Sequence, residues 1–172
     1  MSISTQLVKK LVQIPIFGGL TVAEAAEFFE VAQETSVGKG ATLFREGDAG
    51  DALLVILEGE VEVTRKGVEL ARLVKHNVLG EMSLMGEGEV RSATATALTD
   101  VKVLNVPSKR VQKMLKADHV AALKVVANLA QVMSKRLSAI NERLVAATGA
   151  GGGAKKKEEL ADFGRILTTW SF

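Results

Sequence analysis

Residues 52–74 read ALLVILEGEVEVTRKGVELARLV, and the order of patterns within them decides the fold. Residues 52–57 are an almost unbroken apolar run, as expected of a strand buried on both faces. Glu58-Gly59 then turns the chain. Glu60, Glu62 and Thr64 alternate with Val61 and Val63, which describes a strand with one wet and one dry face. Arg65-Lys66-Gly67 is a hairpin tip, and residues 70–74 return from it. Strands joined this tightly pair antiparallel, because a parallel neighbour needs a long crossover.

The same grammar extends in both directions. Upstream, Gly38-Lys39-Gly40 turns into a strand at residues 42–45, and residues 46–51, EGDAGD, form a tight polar loop. Downstream, Ser92, Thr94 and Thr96 alternate with Ala93, Ala95 and Ala97, and Val101, Val103 and Val106 mark a further strand. Many short strands at close, even spacing predict an antiparallel sandwich or barrel. Helical periods flank it. Residues 3–14 predict a short amphipathic helix with Leu7, Leu11 and Ile14 on one side, ended by Pro15 and Gly18-Gly19. Thr21 predicts an N-cap with Glu24 as its capping-box partner. Ala25, Phe28, Phe29 and Ala32 give that second helix its apolar face, and it fades into residues 34–37. Pro107 ends the sheet region and fits the first turn of a helix that faces inward through Val111, Met114 and Leu115.

Asp118 predicts the cap of a long helix running to residue 147, with His119 in its first turn. Along it Leu123, Val126, Ala130, Met133, Leu137, Ile140 and Leu144 step by alternating threes and fours, the seam of a coiled coil. The seam predicts a homodimer through this helix. The organisation is therefore a domain over residues 1–147, a Gly/Lys-rich linker over 148–157, and an amphipathic tail over 158–172. Leu160, Phe163, Ile166, Leu167 and Trp170 share one helical face of the tail, which predicts either a segment folded back on the domain or a motif for a protein partner, with membrane-surface binding a third reading.

Composition narrows the function. A chain of 172 residues with 47% hydrophobic content suits one core-bearing domain plus an appendage. A net charge of +2 gives no global basic field, and no basic recognition helix is present, so direct nucleic-acid binding is not expected. The absence of cysteine excludes disulfides and thiolate metal sites, and His76 and His119 form no ligand pattern. No run approaches transmembrane length, and lysines split the N-terminal apolar stretch, so the expectation is a soluble cytoplasmic protein away from membranes. No nucleophile and base pair stands out, which predicts a binding protein without enzyme activity, cofactor or metal.

The chemistry concentrates in residues 79–96, LGEMSLMGEGEVRSATAT. Gly80 and Glu81 open a one-turn apolar segment, Gly86 and Gly88 loosen the chain, and Arg91 arrives from a strand. A helix start offers backbone N–H groups to an anion, and an arginine supplies a forked cation for phosphate oxygens. A carboxylate beside a phosphate repels it, so Glu81 suits a sugar hydroxyl instead. The arrangement predicts a sugar phosphate or nucleotide. Taken without their surroundings, Glu81 and Arg91 could equally be a structural ion pair across the sheets.

These segments together resemble the cyclic nucleotide-binding domain family, which includes the catabolite activator protein and the regulatory subunits of cAMP-dependent protein kinase. The resemblance covers residues 12–147. It is carried by Pro15-Ile16-Phe17 with Leu20, by Phe44-Arg45-Glu46-Gly47-Asp48 leading into the Gly59 hairpin, and by Gly80-Glu81 through Arg91-Ser92-Ala93, which matches the phosphate-binding cassette. Lys135-Arg136-Leu137 and Asn141 resemble the end of the family's long C-terminal helix.

The resemblance implies an α+β fold: an antiparallel β-roll (a double-stranded jelly-roll) with N-terminal helices and a long C-terminal helix. It implies that Arg91 pairs with the cyclic phosphate and Glu81 accepts from the ribose 2′-hydroxyl. Backbone N–H groups at Gly80, Glu81, Met82 and Ser83 complete the anion site, Ser92 donates to phosphate or base, and Asn141, or else Arg136, caps the base. The ligand the resemblance implies is cAMP, with cGMP left open by Ser92. The DNA-binding domain that follows the long helix in the catabolite activator protein is missing from the residues that follow here, which departs from that pattern. Two functions remain: a stand-alone cyclic nucleotide sensor that signals through a protein partner, or a dimeric scaffold whose tail recruits a partner with little nucleotide dependence.

Overall fold

A computed structural model describes residues 3–84 and 90–149. The linker beyond Gly149, the tail at 158–172 and the Gly86/Gly88 loop lie outside the described residues. The chain divides into two units, Met1–Ala130 and Gln131–Phe172.

The first unit is the expected α+β roll. Its strands are β1 (Gln33–Val37), β2 (Thr42–Phe44), β3 (Ala52–Glu58), β4 (Glu60–Arg65), β5 (Val68–Val74), β6 (Val78–Leu79), β7 (Thr94–Ala97) and β8 (Val101–Pro107). They form two antiparallel four-stranded sheets, ordered β1-β8-β3-β6 and β2-β7-β4-β5. Leu54 and Ile56 of β3 enter the core between the sheets with Val61, Leu79, Ala95, Ala97, Val101 and Val103. Leu53 and Val55 point the other way and are also fully buried, which is why the β3 run is apolar without alternation. Helix α3 packs against β3 and β8.

Two turns explain the tightness of this roll. Lys66 and Gly67 both have positive φ and join β4 to β5 in the two-residue connection that matches strand twist. Gly59, at φ +88°, joins β3 to β4 where a Cβ would collide with the Asp100 carbonyl and lie 2.9 Å from Val101 Cα. Any side chain there forces the hairpin away from the β7–β8 turn.

The helices are α1 (Thr5–Leu11), α2 (Val22–Phe28), α3 (Ser108–Lys116) and α4 (Val120–Gly149), with a short 3₁₀ turn at Pro15–Phe17. Thr21 and Glu24 make the reciprocal capping box: the Thr21 N–H donates to Glu24 Oε2 at 2.7 Å, and the Glu24 N–H donates to Thr21 Oγ1 at 3.2 Å. Phe17, Phe28 and Phe29 are fully buried, with ring centroids 4.9–5.9 Å apart in tilted and edge-to-face contacts.

Four features differ from the sequence expectation. Residues 34–37 belong to strand β1 instead of a fading helix. Gln33–Val37 is polar and mostly exposed, so no hydrophobic period announces it; its register with β8, Gln33↔Asn105 through Val37↔Val101, defines it. The first helix is shorter than residues 3–14, ending at Leu11 before the 3₁₀ turn. Asp118 does not cap α4. It takes φ +51° and closes α3, its N–H donating to the Leu115 carbonyl, and His119 accepts the first bond of α4 from the Leu123 N–H. Finally, α4 runs to Gly149, so positions 148 and 149 of the expected linker are helical.

In its first turns α4 buries Ala121, Ala122, Val125 and Leu129. Lys124 Nζ donates to both Glu24 carboxylate oxygens, at 2.8 and 2.9 Å, and to the Gly19 carbonyl at 3.1 Å. Asn128 Nδ2 donates to the Gly18 and Ile16 carbonyls at 2.7 and 3.2 Å. The heptad seam is a different stripe: Leu123 and Leu137 are 46% and 49% exposed. Among the described residues no helix is long and apolar enough to cross a membrane.

Candidate functional site

Gly80 ends β6 at φ +70°, a conformation that L side chains resist, and so aims the chain into the 3₁₀ turn Glu81–Leu84. The turn is closed twice by Ser83, whose N–H and hydroxyl both donate to the Gly80 carbonyl, at 3.1 and 2.7 Å. Ser83 and Leu84 are buried, Glu81 is half-buried and Met82 is exposed. Ser83 therefore anchors the turn through the groups that a ligand would otherwise use.

The 45–50 loop fixes Arg91 by its backbone. The Arg91 N–H donates to the Asp48 carbonyl and the Gly47 N–H donates to the Arg91 carbonyl, both at 2.8 Å, beside an Ala49–Val90 bridge. The side chain turns inward and is 7% exposed. Nη1 donates to the Ala52 carbonyl at 2.9 Å, Nη2 reaches Asp51 Oδ1 at 3.3 Å, and the guanidinium carbon lies 4.4 Å from the Phe44 ring centroid. Nε is buried, with no acceptor among the described residues. Burial lowers the Arg91 pKa, and the Asp51, Asp48 and Glu81 charges pull it back up. Arginine nonetheless keeps its charge. A Cβ on Gly80 would strike the Arg91 guanidinium and lie 2.8 Å from the Ala52 carbonyl, so a glycine is what lets the cation lie against the cassette turn.

Met82, Arg91 and Ser92 line one hollow of 380 Å³, together with Glu46, Gly47, Arg65 and Val90. Ser92 is exposed there. Glu81 lies within electrostatic range of Arg91. Asn141 is half-buried on α4 in the second unit. The structure adds three groups that sequence reasoning left unassigned: Asp51, the Ala52 carbonyl and Phe44 as partners of Arg91. The only sequence signal for Asp51 is a carboxylate in the EGDAGD loop. Among the described residues no group of three potential metal ligands converges.

A buried guanidinium beside a glycine-entered turn is a grouping that can receive an anion. The family model of the cyclic nucleotide-binding domain matches residues 34–118, which run from within β1 to just past α3 and include Arg91, its partners and the Gly80–Leu84 turn but not Asn141. The chain belongs to the cyclic nucleotide-binding domain family. It is 33% identical over 132 residues to the cyclic AMP receptor protein of Thermus thermophilus, covering 72% of this chain and 57% of that protein. The N-terminal domain of a transcriptional regulator from Streptomyces coelicolor is 35% identical, with 73% of this chain and 90% of that one covered and a TM-score of 0.61. A cyclic nucleotide-binding domain from Methylobacillus flagellatus is 26% identical and superposes with a TM-score of 0.73 over 87% of this chain and 88% of that one. The chain spans 22–60% of the length of the first curated relatives it matches.

Proposed function

We propose that this chain is a cAMP sensor that regulates a protein partner and catalyses no reaction. One observation carries the reading furthest: a permanently charged guanidinium on a residue 7% exposed, whose Nε has no acceptor among the described residues. A cyclic phosphate supplies the missing acceptor oxygens. In this reading the phosphate accepts from Arg91, from Ser92 and from backbone N–H groups at the start of the Glu81–Leu84 turn. The Glu81 carboxylate accepts from the ribose 2′-hydroxyl. The name of the Thermus relative, a cyclic AMP receptor, supports cAMP over cGMP.

The half-exposed seam at Leu123 and Leu137 favours a homodimer through α4, and the tail at 158–172 is the proposed contact with the partner. By linkage, a partner that changes with nucleotide must change nucleotide affinity by the same factor.

Titration calorimetry with cAMP and cGMP tests the reading. A desolvated, forked arginine–phosphate contact is worth at least about 3 kcal/mol, so Arg91→Ala weakens cAMP binding by at least about a hundredfold. Arg91→Lys keeps the charge without the fork and falls between. Unchanged affinity in both variants refutes the assignment.

A further inference from the structure

Arg91 also lines a second hollow, of 360 Å³. Leu43, Phe44 and Val103 form its apolar walls, and Asp48 and Asp51 stand at its rim. A few polar groups on an apolar, aromatic wall are the ordinary make-up of a small-molecule site, and the volume falls in the usual range of about 300–1,000 Å³. Arg91 itself indicates the ligand chemistry. Its guanidinium lies 4.4 Å from the Phe44 ring centroid and reaches Asp51, so the chain already offers this wall a planar cation of its own. That internal ligand is held firmly by the Ala52 carbonyl but only weakly by Asp51. The Nη2–Oδ1 distance is 3.3 Å, longer than a well-made charged hydrogen bond, and the Asp51 side chain is 84% exposed, so acceptor capacity remains for an outside donor.

We propose that this hollow binds a small planar organic cation of the amidinium or guanidinium class, seated on Phe44 and bonded to Asp51, in place of Arg91. The newcomer releases Arg91 from its carboxylate. The freed guanidinium is then available to the phosphate, so the cation and the cyclic nucleotide bind with positive cooperativity. The site stands independently of the sensor assignment; the cooperativity rests on it.

Benzamidine is the probe, followed by calorimetry and by amide chemical shifts of the full chain. Saturable binding below about 10 mM is expected, with shifts confined to the neighbourhood of Phe44, Asp51 and Val103. Asp51→Asn weakens it about tenfold, and Phe44→Leu weakens it about three- to tenfold. Arg91→Met removes the internal competitor and tightens benzamidine binding while weakening cAMP, an opposite pair of effects that a merely unfolded variant does not give. Saturating cAMP tightens benzamidine in the wild-type chain, and benzamidine tightens cAMP by the same factor. Absence of saturable binding, or binding indifferent to both Asp51→Asn and Phe44→Leu, overturns the site. Benzamidine binding unaffected by cAMP overturns the cooperativity. A wild-type chain that takes benzamidine but no cAMP keeps the site and refutes the sensor reading, so the two failures are distinguishable.

Discussion

Asp51→Asn is the substitution that separates two roles for the carboxylate facing Arg91. If Asp51 competes with the ligand phosphate, removing its charge must strengthen cAMP binding. If it positions the arginine, removal must weaken it. The structure favours competition. Arg91 is held from elsewhere as well, by the bond from Nη1 to the Ala52 carbonyl at 2.9 Å and by the Phe44 ring. The Asp51 carboxylate is mostly solvated and sits 3.3 Å from Nη2, so although Arg91 is buried the pair is screened from the Asp51 side and is worth about 0.5–1 kcal/mol. Losing that competitor tightens cAMP by about two- to fivefold. Calorimetry at two salt concentrations reads both size and origin, because a screened surface pair contributes less at high ionic strength and the gain must shrink there. A variant that binds cAMP more weakly than the wild type, with an unchanged melting temperature, refutes the competition argument.

Three further outcomes follow from the geometry. Gly80→Ala strains a residue at φ +70° by about 1–2 kcal/mol and drives a methyl into Arg91, so both melting temperature and cAMP affinity fall, and normal affinity would exclude the close approach. The Glu24 carboxyl is held at about 2 against an ordinary 4.5, chiefly by Lys124 and then by its cap bond to Thr21. Its contribution to stability is therefore complete above about pH 4.5 and is lost as pH falls from there towards 2; Lys124→Met flattens that part of an acid-unfolding curve, and an unaltered curve counts against the pair. Leu123→Glu with Leu137→Glu places four charges in the proposed dimer seam, and sedimentation must show monomer where the wild type shows dimer.

Much of this molecule is legible in its sequence for identifiable reasons. The apolar run of β3 is visible because both faces are buried, the β4–β5 hairpin because Lys66-Gly67 sits between alternating strands, and the α2 start because Thr21 and Glu24 satisfy each other's backbone donors. Arg91 is conspicuous because a cation follows a glycine loop and opens a Ser/Ala alternation. What escapes notice depends on partners remote in sequence. Strand β1 has no hydrophobic period and exists through backbone pairing with β8. Asp51 meets Arg91 across forty positions, and nothing in EGDAGD distinguishes that carboxylate from its neighbours. On α4 the conspicuous seam leucines Leu123 and Leu137 are half-exposed, and the buried stripe is made of the unremarked Ala121, Ala122, Val125 and Leu129.

The position of β8 in the sheet carries a consequence for biosynthesis. Within its sheet β3 lies between β8 and β6, and Ile56 pairs with Val103, 47 residues further along the chain. At about 5–20 residues per second, the apolar segment LLVIL leaves the ribosome roughly 2–9 s before the strand that covers its edge exists. Strand β1 cannot stand in, because it too pairs only with β8. The nascent chain therefore passes through a window in which its most hydrophobic strand has a bare edge; the β4–β5 hairpin is the most local part of the roll free to form in it, before β3–β6 pairing and the rest of the β2-β7-β4-β5 sheet. Chaperone capture during synthesis should fall on this window, and codons that slow translation between positions 58 and 101 should lower the soluble yield.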